Sequence, residues 1–184
     1  MTTPAAGRTR QWIVVISVAA ALGVAAWALA HFTAPRAVAQ VGSPAPAFTL
    51  PDVRTGDSVS LEQRYRGHVT LVNIWATWCI PCGEEMPSMQ RLYDAYRDRG
   101  FRVVATSIDQ GDPSGVLQYA NRHNLTFDIL QDRTMRIQET YQTLGVPESF
   151  LLDRNGRIAY IALGAETWDA PDHRQRVEHL LGNP

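Results

Sequence analysis

The first apolar stretch of the chain differs in pattern from everything that follows it. Residues 12–30 contain no charged side chain over 19 positions, and a helix of that length spans roughly 28 Å, close to the ~30 Å core of a bilayer. Arg8 and Arg10 precede it without any acidic residue, which favours keeping that end in the cytoplasm. The pattern therefore predicts a cytoplasmic segment at 1–11 and a membrane-spanning anchor at 12–30, with the rest on the extracytoplasmic, periplasmic side.

A cleaved signal peptide is the alternative interpretation of this stretch. The residues 37–39 form a small-x-small site before Gln40, as signal peptidases require. However, the apolar run is longer than in most signal peptides, and Trp12 and Trp27 suit the two membrane interfaces. Both interpretations place the residues from about 40 onward outside the cytoplasmic membrane.

After a Pro- and Ala-rich linker at 31–44, the pattern predicts strands alternating with helices in one domain at 45–184. Continuous apolar runs are typical of strands buried on both faces, whereas apolar residues at three- and four-residue spacing predict helices. Predicted strands lie at 47–50, 57–61, 68–76, 101–109, 126–130, 149–153 and 157–163, and predicted helices begin near 80 and lie at 112–124, 134–144 and 172–182.

This order predicts the α/β fold class. Strands joined through helices form a mainly parallel sheet that is covered on both faces. Asn155 and Gly156 lie between the last two predicted strands, and this pair is a strong hairpin signal. The last hairpin should therefore add antiparallel strands at one edge.

Composition excludes one broad class of function. The chain is 45% hydrophobic and 19% charged, with a formal net charge of −1, as in ordinary globular proteins. Nucleic-acid binding needs a basic face, which this balance does not suggest. The 17 basic residues are all arginines, so no lysine is available as a catalytic base.

Cys79 and Cys82 are the two cysteines of the chain, and they lie between a predicted buried strand and a predicted helix. A structural zinc site needs about four ligands, and this pair supplies two. Two inert core cysteines are a second alternative. The favoured interpretation is a redox pair at a helix N-terminus, where unpaired N–H groups and the helix dipole stabilise a thiolate. Cys79 is then the nucleophile and Cys82 the resolving thiol, with no other cofactor and no metal.

The sequence WATWCIPC at 75–82 resembles the thioredoxin superfamily. Together with LVNIWATWC at 71–79, GVPESFLLDRNGRI at 145–158 and the extra helix at 112–123, it resembles the membrane-anchored thiol-disulfide oxidoreductases of the TlpA/ResA type. The cytochrome c biogenesis reductases are close relatives of that branch. The resemblance covers about residues 41–182. It implies a thioredoxin-like fold, with a central mixed sheet flanked by helices, an N-terminal β-hairpin and a central helical insertion.

The resemblance also implies the residues of a substrate groove. Trp78 matches the tryptophan that flanks the active-site surface, and Pro81 matches the proline before the second cysteine. Pro147 matches a loop proline that is cis in this superfamily and faces the cysteines. Val146 would then offer its backbone to an extended substrate. Glu148, next to Pro147, would line the same groove, and an ordinary loop residue is the alternative.

Two positions depart from thioredoxin itself. Asn73 stands where thioredoxin has a buried aspartate beneath its second cysteine, and an amide cannot accept a proton. The TlpA/ResA branch instead has a glutamate three residues after that cysteine, which is Glu85 here. We therefore expect Glu85 to relay the proton of Cys82, whereas Glu84 is expected to be an exposed carboxylate at the helix start.

The residues between the cysteines predict the direction of electron flow. Ile80 and Pro81 are apolar, unlike the histidine-containing pair of strong oxidants. Proline in the second place matches thioredoxin, with a potential of about −270 mV, rather than DsbA at about −120 mV. This favours a reductase. The resemblance implies a membrane thiol transporter as electron donor and a protein disulfide, such as that of an apocytochrome c, as acceptor.

Three other classes of function are alternatives to a reductase. A redoxin-type peroxidase needs Thr or Ser three residues before its reactive cysteine, where this chain has Ala76. A disulfide oxidant or isomerase would differ in its measured potential. A non-catalytic copper-binding module would need a third soft ligand, for which Met86 and Met89 are the nearest candidates.

Overall fold

A computed structural model of the chain describes residues 6–32 and 39–182 and divides it into two units after Arg36. In the first unit, α1 (Ala6–Phe32) is a single helix. Its segment Gln11–Ala28 is long and apolar enough to cross a membrane. A signal sequence has the same properties. Residues 1–5 of the predicted cytoplasmic segment, 33–38 of the predicted linker, and hence most of the 37–39 cleavage site, lie outside the described residues.

The second unit contains the strands and the remaining helices. The strands are β1 (Thr49–Pro51), β2 (Ser58–Ser60), β3 (Val69–Trp75), β4 (Phe101–Ser107), β5 (Asp128–Gln131), β6 (Glu148–Leu152) and β7 (Ile158–Leu163). The helices are α2 (Leu61–Tyr65), α3 (Ile80–Tyr96), α4 (Pro113–Arg122), α5 (Arg136–Tyr141) and α6 (Pro171–Gly182), with a 3₁₀ turn at Arg97–Arg99 after α3.

The central sheet of the described chain has the strand order β5-β4-β3-β6-β7. Strands β3, β4 and β5 are parallel, whereas β6 is antiparallel to β3 and to β7. Strand β3 is central, and all of its residues are buried, as its continuous apolar run predicts. Helices α3, α4 and α6 pack against this sheet. The predicted α/β class, with a mixed central sheet, an N-terminal hairpin and an inserted helix, is confirmed.

Three local features differ from the sequence-based expectations. Helix α5 ends at Tyr141 instead of continuing to residue 144, because Gln142 adopts a left-handed conformation with φ 56°. The short helix α2 was not predicted. The β6–β7 hairpin is present, but β6 ends at Leu152 and β7 begins at Ile158, so each strand stops one residue further from the turn than predicted.

The inserted helix α4 lies close to α3 at a glycine. A Cβ atom added at Gly83 would lie 2.7 Å from the hydroxyl oxygen of Tyr119. The Tyr119 ring has little room to move, because it packs against Trp75 and stacks on His123, with centroid distances of 5.0 and 4.3 Å. Glycine at position 83 therefore allows the insertion to approach the helix that carries the cysteines.

This contact predicts opposite effects for two glycine-to-alanine substitutions. Gly83→Ala should lower the free energy of unfolding by about 1–3 kcal/mol, as overpacking does. Gly115→Ala in α4 is the control, because a Cβ there meets no atom of the described chain within 4 Å. It should raise that free energy by about 0.5–1 kcal/mol through helix propensity. Urea denaturation of the full-length variants measures both, and equal effects would contradict the packing argument.

Candidate active site

The two cysteines lie at the N-terminus of α3. Cys79 is the residue that caps this helix, with extended backbone angles, and Pro81 follows in the first turn. The cysteines form a disulfide with an S–S distance of 2.02 Å. The N–H group of Cys82 also donates a hydrogen bond to Cys79 Sγ at 3.2 Å. This N–H group, with the helix dipole, supplies the positive field that stabilises a thiolate at Cys79.

The two sulfur-bearing residues differ in accessibility. Cys79 retains 6% of its surface, whereas Cys82 retains none. An incoming group can therefore reach Cys79 more readily than Cys82. This asymmetry fits a nucleophile at the surface and a shielded partner behind it.

A second loop lies against Cys79 from the start of β6. The Val146–Pro147 peptide bond is cis, and the carbonyl oxygen of Val146 lies 3.6 Å from Cys79 Sγ. Helix α3 and strand β6 thus bring together residues that are 67 positions apart in the sequence. The family resemblance assigns this stretch of backbone beside the disulfide to substrate contact.

The surface on either side of the disulfide is apolar and exposed. Trp78 and Ile80 keep 65% and 78% of their surface, and Leu144, in the loop that precedes Val146, keeps 92%. Pro81 is exposed as well. Exposed apolar side chains next to a redox-active cysteine are suited to contact with another molecule.

Glu85, three positions after Cys82 in α3, is buried, with 2% of its surface exposed. Its Oε1 atom accepts a hydrogen bond from Asn73 Nδ2 at 2.8 Å. Its Oε2 atom accepts from the N–H of Glu166 at 3.2 Å and from Trp168 Nε1 at 3.1 Å. Burial raises the pKa of Glu85 to about 7, although the three donors act in the opposite direction. The carboxyl group therefore gains and loses a proton near neutral pH.

The sequence reasoning placed Glu148 in the substrate groove, and the structure shows where its side chain lies. Glu148 is buried, and its Oε2 atom accepts a hydrogen bond from the N–H of Leu144 at 3.2 Å. Burial raises the pKa of Glu148 above its usual range. Its carboxylate thus holds the loop that carries Leu144. A direct contact with substrate stays a prediction.

A carboxylate that the sequence reasoning missed anchors the loop before Cys79. Asp109 accepts hydrogen bonds from the N–H of Thr77 at 2.9 Å and from the Thr77 hydroxyl at 2.6 Å. Asp109 follows β4, which is the parallel neighbour of β3. The carboxyl ends of neighbouring parallel strands share one edge of a sheet, and this rule could have identified the residue.

Trp168 was also missed, and no sequence signal could have identified it. It lies 83 residues after Glu85, to which it donates a hydrogen bond, in the loop between β7 and α6.

The two methionines that a copper site would use, Met86 and Met89, are fully buried in the core. Within residues 6–32 and 39–182, no group of three or more His, Cys, Asp or Glu residues could hold a metal ion.

Comparison with known proteins identifies relatives over most of the chain. The Redoxin family model matches residues 40–181. The thiol-disulfide oxidoreductase ResA of Geobacillus thermodenitrificans is 36% identical over 169 residues, which cover 91% of this chain and 92% of that protein. The ResA protein of Geobacillus kaustophilus is 40% identical over 137 residues, covering 74% of this chain and 76% of the relative.

Solved structures show the same fold. The thiol:disulfide interchange protein DsbE of Chlorobium tepidum superposes with a TM-score of 0.71 at 31% identity, covering 78% of this chain and 99% of that one. The chain therefore belongs to the redoxin family, as a ResA-like thiol-disulfide oxidoreductase of the thioredoxin superfamily.

Proposed function

We propose that this thiol-disulfide oxidoreductase reduces disulfide bonds of partner proteins on the extracytoplasmic side of the membrane. The observation that carries the proposal is the disulfide at the N-terminus of α3. Cys79 is its accessible sulfur, an exposed apolar surface surrounds it, and a buried carboxyl group that titrates near pH 7 lies on the same helix. The catalytic residues of this proposal are Cys79, Cys82 and Glu85.

The reaction begins from the dithiol form. The Cys79 thiolate attacks one sulfur of the partner's disulfide and forms a mixed disulfide, while the partner's other sulfur leaves as a thiolate. Trp78, Pro81, Val146 and Pro147 form the groove for the partner's chain, with the Val146 carbonyl beside Cys79 Sγ. The apolar surface binds the partner segment through burial of its own apolar groups.

The second cysteine completes the reduction. Cys82 loses its proton and attacks Cys79 Sγ, so the Cys79–Cys82 disulfide forms and the partner leaves with its second thiolate. Two electrons thus pass from the protein to the partner. Glu85, three positions after Cys82 on α3, lies on nearly the same helix face and accepts the proton. Asn73 cannot perform this role, since it is an amide.

The apolar pair Ile80 and Pro81 supports the reductase direction, because neither side chain stabilises the dithiol form as a histidine would. A reductase outside the cytoplasm needs a supply of electrons. We propose a membrane thiol transporter as donor and a protein disulfide, such as that of an apocytochrome c, as acceptor. The helix at Gln11–Ala28 would hold the domain at the membrane where that donor lies.

The structure offers little support for the other functions. A peroxidase would use a hydroxyl group three residues before its cysteine, where Ala76 is buried, and the nearby Thr77 hydroxyl already binds Asp109. The buried side chains of Met86 and Met89 are unsuited to copper binding at the surface. A disulfide oxidant remains distinguishable by its reduction potential, which should be well above that of thioredoxin.

The first prediction from this proposed function concerns the two cysteines. Cys79→Ser should abolish reduction of insulin disulfides, because the attacking thiolate is gone. Cys82→Ser should retain one attack and accumulate the mixed disulfide, since nothing resolves it. Mass spectrometry of the trapped adduct identifies the attached cysteine. In the reduced protein, Cys79 should react with iodoacetamide at lower pH than Cys82, and equal alkylation rates from pH 5 to 9 would contradict the assignment.

The second prediction concerns Glu85. Glu85→Gln keeps the shape of the side chain but removes the proton acceptor, so disulfide reduction should slow by about 10-fold or more. In the wild type, the carboxylate is ionised above its pKa of about 7, so this step should slow as the pH falls through 7. The variant should lose that dependence between pH 5 and 8, which stopped-flow kinetics can measure.

Glu84→Gln is the matched control for Glu85→Gln. Glu84 is the neighbouring residue on the same helix, but its side chain is exposed. The control variant should keep both the rate and the pH profile of the wild type. If both variants behave like the wild type, Glu85 is not the proton acceptor, and water or the partner must take the proton.

The third prediction concerns location. If residues 12–30 remain as an anchor, the protein should stay in the membrane fraction after alkaline washing, with its original N-terminus. Leu22→Arg, at the centre of the apolar stretch, should weaken that retention, because a charge there is costly in the bilayer core. N-terminal sequencing distinguishes the alternatives. A soluble mature protein that starts at Gln40 would establish a cleaved signal peptide instead.

A further inference from the structure

The loop that joins β7 to α6 contributes to the site from the far end of the sequence. Within this loop, Trp168 is 1% exposed, and both of its N–H groups are hydrogen-bonded. Its backbone N–H donates to Ser88 Oγ at 2.9 Å, and its indole N–H donates to Glu85 Oε2 at 3.1 Å. Ser88 Oγ in turn donates to the carbonyl oxygen of Glu85 at 2.7 Å. Trp168 is therefore fixed to α3 at two points, one of them the buried carboxyl group.

The two carboxylate oxygens of Glu85 differ in the hydrogen bonds that they accept. A carboxylate has about four acceptor positions, two on each oxygen. Oε2 uses both of its positions, for the N–H of Glu166 and for the indole N–H of Trp168. Among the residues that the structure describes, Oε1 accepts one hydrogen bond, from Asn73, and thus keeps one free position. The loop therefore determines which oxygen is available to a proton.

We propose that Trp168 is a positioning residue for the reaction. Its indole N–H, together with the N–H of Glu166, occupies Oε2 of Glu85, so that the proton of Cys82 passes to Oε1. In this step the S–H bond of Cys82 breaks and an O–H bond forms at Oε1, with no change in electron count. The inference rests on the proposed function, in which Glu85 accepts that proton.

The neighbours of Oε1 suit both protonation states of Glu85. Asn73 Nδ2 donates one hydrogen bond to Oε1 and one to Ser149 Oγ, at 2.8 and 2.9 Å. Asn73 Oδ1 is buried and has no hydrogen-bond partner among the residues that the structure describes. Rotation of the side-chain amide by a half-turn would exchange Oδ1 and Nδ2. Oδ1 could then accept hydrogen bonds from a protonated Oε1 and from the Ser149 hydroxyl. Oε1 can thus carry a proton and keep its hydrogen bond with Asn73. The N–H groups of Glu166 and Trp168 can only donate, so neither could accept a hydrogen bond from a proton on Oε2.

Other ionisable groups also lie near this contact. The Glu166 carboxylate raises the pKa of Glu85 by charge repulsion, although burial is the larger cause. His173 packs behind Trp168, with ring centroids 4.6 Å apart, and its Nε2 atom lies 3.4 Å from Glu166 Oε2. Asp172 lies 4.0 Å from the same His173 nitrogen. A test must therefore follow the titration of Glu85 itself.

Trp168→Phe tests the proposal, because it removes the indole N–H and keeps an aromatic ring. The full-length oxidised protein, in detergent micelles and labelled with ¹³C at the glutamate carboxyl carbons, is titrated by NMR, and the Glu85 signal is the one absent from Glu85→Gln. Loss of a donor to the charged form should raise the Glu85 midpoint by about one pH unit. Relative to the wild type, disulfide reduction should then slow about fivefold or more at pH 6 and less than twofold at pH 9.

Trp75→Phe is the matched control. Trp75 is also fully buried, but its indole N–H has no hydrogen-bond partner within the described chain. This variant should lose stability without moving the Glu85 midpoint. The same comparison repeated in a His173→Gln background should give the same shift for Trp168→Phe, since the effect acts through Glu85 Oε2.

The outcomes separate this inference from the proposed function. An unchanged Glu85 midpoint in Trp168→Phe, or equal shifts in Trp168→Phe and Trp75→Phe, would overturn the positioning role, even if Glu85→Gln still slows the reaction. If Trp168→Phe does not fold, Ser88→Ala provides the second test. It removes the acceptor of the Trp168 backbone N–H and should raise the midpoint in the same direction, and an unchanged midpoint there would overturn the inference as well.

Discussion

Strand β3 is the constraint on which the site depends. It is hydrogen-bonded to β4 on one side and to β6 on the other, and every residue in it is buried. A strand in this position cannot slide, because a shift of one residue would exchange its two faces. Its carboxyl end therefore fixes the start of the loop that leads to Cys79. Asn73, within the strand, is fixed beneath the same loop.

The neighbours of β3 complete the site from both sides. Strand β4 leads to Asp109, which anchors the loop before Cys79. Strand β6 begins directly after Pro147, so the carbonyl of Val146 lies beside Cys79 Sγ. Both β4 and β6 are held in place by their pairing with β3. A rigid frame of this kind keeps the more accessible of the two sulfur atoms and its groove in one geometry.

Glu85 shows how the fold balances two opposing effects on one group. Burial disfavours the carboxylate form, whereas the donors from Asn73, Glu166 and Trp168 stabilise it. Without the donors, the group would remain protonated and could not accept a proton, and without burial it would be ionised throughout the physiological range. The combination gives a pKa of about 7, which is suited to proton transfer at neutral pH.

The sequence by itself determined the fold class, because continuous apolar runs and helical spacing are local properties of the chain. It also identified the cysteine pair, because the predicted strand before it and the predicted helix after it are adjacent in the sequence. The resemblance to relatives pointed to Pro147 and Glu85. Only the tertiary structure decided which groups surround Glu85, since Asn73 lies in β3 whereas Glu166 and Trp168 lie in the loop between β7 and α6. It likewise showed that Asp109 holds the loop before Cys79 and that the Glu148 carboxylate binds the N–H of Leu144. Hydrogen bonds between distant residues leave no periodic pattern in a sequence, and the burial that raises the pKa of Glu85 exists only once the sheet and its helices have packed together.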